Sequence, residues 1–186
     1  MIAWCGIMHV PEITLPITEP ETEWVRGEAL QKVSPTRSHS LLQAALAAEL
    51  REWAGSRGEV GTEWRFRVTP PGEATRPLVP DISYVAVERL RGLTGTELEV
   101  PRLSPDVAVE ILSPDDKRIN VDDKIKTYLA AGSQLVVIVD PATRSIELHD
   151  KGGRRVLERD ERLSHGELPG FTLSLTELFQ VIDPPR

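Results

Sequence analysis

"PDVAVEILSPDDKRINVDDKIKTYLAAGSQLVVIVDP", residues 105–141, reads as strand, helix, strand. Its opening run from Val107 to Leu112 is apolar at every position except Glu110, the mark of a strand buried on both faces. Alternation places Asp106, Ala108, Glu110 and Leu112 on one face and Val107, Val109 and Ile111 on the other. Glu110 is therefore an acid inside a nearly all-apolar strand. The segment that follows sets Ile125, Tyr128 and Leu129 on one helical stripe, with Asn120 or Asp116 as the candidate cap and Gly132 as the stop. "QLVVIVDP" is a second buried strand. Because it is reached through a helix, the pairing expected between the two strands is parallel, by a crossover.

The flanking segments extend this unit to a mixed α/β (α+β) arrangement. "LVPDISYVAVE" (78–88) reads as a strand with Pro80 at its start, and "RLRGLTGTELEVPRLSP" (89–105) as a connecting loop or short hairpin. "EWVRGEALQKVSP" (23–35) alternates well enough for one or two short strands broken at Gly27. "SHSLLQAALAAELREWA" (38–54) repeats apolar residues at Leu42, Ala45, Leu46 and Trp53, a helix that Ser38 or Ser40 can cap and Gly55 ends. "EWRFRVTP" (63–70) alternates Trp64, Phe66 and Val68 against Arg65 and Arg67, a strand with one buried face. The tail predicts a hairpin, "RSIELHD" and "RRVLERD" joined at "KGG", and a short closing helix in "LSLTELFQVI".

A chain of 186 residues can bury one substantial core, so residues 21–186 are expected to form a single domain behind a proline- and acid-rich arm, residues 1–20. Cys5 is the only cysteine, which excludes an internal disulfide framework and a cysteine-rich zinc site and points to a reducing compartment. No stretch approaches a membrane span and "MIAWCGIMHV" lacks the basic start of a signal peptide, so the expected location is the cytoplasm. The net charge of −7 argues against a protein that coats nucleic acid, though not against a nuclease, whose metal site itself requires clustered acids. Asn120 is the only asparagine, a scarcity of thermolabile amides that fits a thermophilic source or a GC-rich genome equally.

Two acids on neighbouring strands carry the chemistry. Asp81 after Pro80 has an innocent account in turn formation, and Glu110 has one in a buried ion pair. Together with Lys124 they also suit phosphodiester hydrolysis, since carboxylates can hold a divalent cation and an ammonium can offset the charge that builds on a scissile phosphate. Lys124 lies one turn before Tyr128, beside the apolar stripe, while Lys126 points away. His39 reads as a cap-region residue of the early helix, and His9, His149 and His165 show no metal-ligand spacing among them.

"PDISYV", "PDVAVEILSP", "KIKTYLAAG" and "VVIVDP", with the opening "EWVRGE" at Glu23–Glu28, resemble the Uma-type family of restriction-endonuclease-like proteins, a branch of the PD-(D/E)XK nuclease superfamily. The resemblance spans roughly residues 21–180. It implies a mixed β-sheet flanked by helices, and a site with the Pro-Asp motif at Asp81 and the acidic position of the (D/E)XK element at Glu110. Leu112 stands where that element has lysine, and the resemblance assigns the lysine to Lys124 on the following helix. It further implies Mg2+ or Mn2+ held by Asp81, Glu110 and the Ile111 carbonyl, supporting roles for Glu28 and His39, DNA as substrate, and a homodimer that presents one site to each strand. Two other readings stay open: a catalytically silent nuclease-fold interaction module, and a small-molecule phosphodiesterase with a closed pocket.

Overall fold

The computed structural model describes residues 10–185. Cys5, His9 and most of "MIAWCGIMHV" lie outside them. In chain order the elements are β1 (Thr22–Val25), β2 (Glu28–Gln31), α1 (Arg37–Ala54), β3 (Gly58–Thr62), β4 (Phe66–Val68), β5 (Arg76–Leu78), β6 (Ile82–Ala86), α2 (Val87–Leu90) and α3 (Thr96–Glu99). There follow β7 (Val107–Ile111), α4 (Arg118–Ala130), β8 (Leu135–Asp140), β9 (Ser145–Asp150), β10 (Gly153–Glu158), β11 (Arg162–Leu163), β12 (Leu173–Ser174) and α5 (Leu175–Gln180).

Six strands form the central sheet in the order β10-β9-β8-β7-β6-β3. β7 and β8 pair in parallel, as the helix between them requires, and the other neighbours pair antiparallel. Every residue of β7 is buried, because helices or hairpins cover both faces of the sheet at this strand. On one face Val107, Val109 and Ile111 join a core with Leu42, Leu46 and Leu50 of α1 and Leu178 and Phe179 of α5. On the other face Ala108 meets Val121, Ile125 and Tyr128 of α4, Val25 of β1 and Phe66 of β4. The alternation of β7 therefore sends Glu110 toward α4 and the β1–β2 hairpin.

Several local expectations change. α1 begins one residue before Ser38, with Thr36 as its cap, its hydroxyl accepting the His39 N–H at 3.4 Å. α4 begins after Lys117 with no side-chain cap, since the Asp116 carboxylate turns back to accept the Ser113 N–H at 2.7 Å and Asn120 lies within the first turn. Residues 89–105 hold two single-turn helices, of which α2 begins at Val87, rather than a hairpin. β3 follows α1 as an edge strand that the residue pattern does not announce. Gly58 allows it to close on β6, where a Cβ would collide with the Val85 carbonyl and the Tyr84 ring. "EWRFRVTP" yields only the three residues of β4, paired with β5 outside the central sheet. The arm is pinned where Ile13 and Thr75 bond: the Ile13 N–H donates to the Thr75 carbonyl and the Thr75 N–H to that of Pro11, both at 2.8 Å.

Candidate active site

The β1–β2 hairpin, the turn before β6, β7 and α4 meet around a cavity of about 270 Å3 lined by Glu23, Lys32, His39, Asp81, Glu110 and Lys124, among others. Asp81 follows Val79-Pro80 and is only 2 % exposed. Its Oδ2 accepts the Ile111 N–H at 2.6 Å and its Oδ1 accepts from the Lys32 ammonium at 2.6 Å. Its carbonyl accepts from the Gln43 amide at 2.8 Å. The start of β6 is thereby tied to β7, to the chain just past β2 and to α1 at once.

Glu110 faces the other lysine. Oε2 accepts from Lys124 Nζ at 2.6 Å and Oε1 from the Tyr128 hydroxyl at 3.1 Å. Lys124 and Tyr128, one turn apart, approach the same carboxyl from one helix face. Lys124 also donates to Glu23 Oε2 at 2.9 Å, and Glu23 Oε1 accepts the Val79 N–H at 2.7 Å. Glu23 thus couples the lysine to the chain that delivers Asp81. Lys126 is exposed, as its place on the helix predicts.

Three buried carboxyls, Glu23, Asp81 and Glu110, share two ammonium groups. Burial pushes the Glu110 carboxyl up to about 8, and the acids Asp81 and Glu23 add to that, against the pull of Lys124. Burial also works against ionised Asp81, but the His39 imidazole and Lys32 outweigh it and hold this carboxyl well below the ordinary range. Burial disfavours the charged forms of Lys32 and Lys124 too. The surrounding carboxylates reverse that, led by Asp81 for Lys32 and Glu110 for Lys124, and both stay protonated beyond the ordinary lysine value. Of Asp81 and Glu110, it is therefore Glu110 whose surroundings favour a proton.

His39 sits in the first turn of α1 with Nε2 at 3.5 Å from Asp81 Oδ1 and Nδ1 at 3.5 Å from the Ser113 hydroxyl. Ligand atoms of His39, Glu63 and Asp81 all lie within 4.8 Å of one another, an oxygen-rich set of the kind a hard divalent cation takes. Glu110 is not in this set, and its oxygens face Lys124 and Tyr128. Ile111, expected to offer its carbonyl, supplies an N–H to Asp81. Glu28 is exposed at the start of β2, and the acid of the hairpin that reaches the site is Glu23. Residue reasoning missed Glu23, Lys32 and Glu63. The signal for the first two is parity, since Glu23 alternates in phase with Val25, and Lys32 with Leu30. A larger cleft of about 930 Å3 between the β9–β10 hairpin and α5 carries mixed charges but no comparable buried cluster.

No curated protein matches the chain. Among solved structures it is similar to one described as a putative nuclease belonging to DUF820 from Anabaena variabilis ATCC 29413. The two share 26% identity over 90% of this chain and 94% of that one, with a TM-score of 0.79. No helix among the described residues is long and apolar enough to cross a membrane. The family model described as "Uma2: Putative restriction endonuclease" matches residues 13–176, and the chain, with its mixed sheet and its Asp81–Glu110–Lys124 cavity, belongs to that family.

Proposed function

We propose that the chain is a divalent-metal-dependent endonuclease hydrolysing DNA phosphodiester bonds, with Asp81 and Glu110 holding the cation and Lys124 beside them. One observation carries this reading: three separate elements deliver two acids and an ammonium to a single cavity, with Lys124 Nζ 2.6 Å from Glu110. Bound magnesium or manganese would supply Lewis acidity toward a phosphoryl oxygen and a more acidic water. The residues that would hold it are Asp81 and Glu110, with Glu63, His39 and the Ile111 carbonyl as further donors.

The chain's own groups do the rest. Tyr128, behind the cavity, fixes Oε1 of Glu110 and leaves Oε2 with the ammonium on the cavity side. Lys124, held between Glu23 and Glu110, brings a fixed positive charge to where a phosphate would gain negative charge. Lys117 lines the same cavity, a cation placed to meet a nucleic-acid backbone, while the Arg118 guanidinium beside it is taken up by Glu147 and Asp122. Cutting both strands of a duplex calls for two such sites, which a homodimer supplies.

The silent-module reading draws on a different observation, that Lys32 and Lys124 already neutralise much of the acid cluster. Plasmid cleavage with Mg2+, with Mn2+ and with chelator separates the two. The wild type should nick or linearise DNA only with metal. Asp81→Asn, Glu110→Gln and Lys124→Ala should each lose about a hundredfold or more of that activity. A folded wild type that cuts neither duplex nor single-stranded DNA with either ion would leave the silent module standing.

A further inference from the structure

The proposed cation site already holds a cation of the chain's own. Lys32, just past β2, donates to Asp81 Oδ1 and to Glu63 Oε2, both at 2.6 Å, and to the Val79 carbonyl at 3.1 Å. These acceptors use all the donors an ammonium has. The Asp81 oxygen it occupies is the one His39 Nε2 approaches at 3.5 Å. Its two carboxylate partners are the two acids of the His39–Glu63–Asp81 set. Lys32 thus sits on the two carboxylates that a divalent cation in that set would use.

The two lysines of the cavity differ in how they are tethered. Lys124 rises from the middle of α4 among buried groups and bonds only the deep acids. The Lys32 side chain is 15% exposed, its partner Glu63 is 43% exposed, and the chain from Val33 to Arg37 lies at the surface. Lys32 can therefore swing outward without opening either core. An ammonium and a divalent cation cannot share the same carboxylate oxygens, because like charges at contact distance repel strongly. Two ligands that exclude each other are coupled, and the coupling runs equally in both directions.

We infer that Lys32 is a tethered competitor for the divalent cation: metal displaces its ammonium from Asp81 and Glu63, and Lys32 sets how weakly the site holds metal. This rests on the reading that the cavity takes a divalent cation. Glu63, absent from the sequence motif, becomes the residue that parks the competitor.

The test is Mn2+ binding to the full chain, followed by the paramagnetic signal of free Mn2+, for the wild type, Lys32→Met, Lys32→Gln and Lys32→Arg. Methionine keeps the apolar stem and removes the charge, and the glutamine variant carries the measurement if the methionine variant does not fold. Both neutral variants should bind Mn2+ about tenfold or more tighter than the wild type, while Lys32→Arg should stay with the wild type. Binding seen only in the neutral variants would support the inference more strongly still. Equal affinity in all four proteins, weaker binding in the neutral variants, or equal tightening in Lys32→Arg would overturn the competitor while leaving the metal-site reading intact. No Mn2+ bound by any of them would overturn both.

Discussion

Lys124→Met probes the site through its own electrostatics. In the native protein this ammonium stands between Glu23 at 2.9 Å and Glu110 at 2.6 Å, and none of the three side chains is more than 10% exposed. Deleting it removes the ammonium that both acids share, and breaking a buried pair in this way costs about 3–5 kcal/mol. Methionine retains an apolar stem, so the loss is mainly electrostatic. It should also depend on pH. Burial already lifts Glu110 from 4.5 to about 8 while Lys124 pulls it down, and removing Lys124 lifts it further. A carboxyl whose folded pKa exceeds its unfolded one binds a proton in the native state that the unfolded chain has released, so stability falls as pH rises between the two values. In the variant that window extends upward, and its deficit against the wild type must widen with pH. Urea unfolding of both proteins at about pH 5 and about pH 9, still below the ordinary lysine pKa, measures this. Lys126→Met, on the exposed face of the same helix about 200° away from Lys124, is the control and should change stability by about 0.5 kcal/mol at most. A Lys124→Met deficit equal at the two pH values, or no larger than the control, would refute the buried-pair reasoning.

Wild-type stability should decline as pH rises from 4.5 through about 8, because folded Glu110 keeps its proton over that range, and Glu110→Gln should flatten the decline. Thermal unfolding across a pH series measures it, and a wild-type profile level over the window would contradict the elevated carboxyl. Glu23→Gln should cost about 1.5–3 kcal/mol, the worth of a hydrogen bond to a charged group, and reduce DNA cleavage, whereas Glu28→Gln should do neither. Equal effects in a paired assay would mean that the wrong acid of the hairpin has been placed at the site. Tyr128→Phe removes the hydroxyl that donates to Glu110 at 3.1 Å and should cost about 1–3 kcal/mol in denaturant unfolding. No measurable loss would show that Glu110 Oε1 finds another donor.

What could be read from residues alone divides along a physical line. β7, α4 and β8 were legible because periodicity reports which face is buried, and burial is a property each segment carries within itself. The same reading put Lys124 beside the apolar stripe and Lys126 outside it, and the Pro-Asp and Glu-containing motifs marked Asp81 and Glu110. β3 was not legible, since its two glycines carry no apolar signal and it exists through its register with β6. The caps failed for a similar reason. Ser38 is a sound cap by type, but the chain turns one residue earlier at Thr36, and boundary choices of that size are settled by tertiary packing. Glu23 lies on an inward-facing phase of β1 and Lys32, just past β2, continues the phase of Leu30, so a charge directed inside could be suspected, but its partner could not. Glu23 bonds a lysine 101 residues away and Lys32 an aspartate 49 residues away. Spacing rules describe neighbours along a helix or strand, and they are silent about charges that meet only when two hairpins and a helix close over one sheet. Electrostatics likewise constrains where an ammonium ends and not the segment that carries it: Lys124 reaches the Glu110 carboxyl of β7 from α4, 14 residues further along the chain.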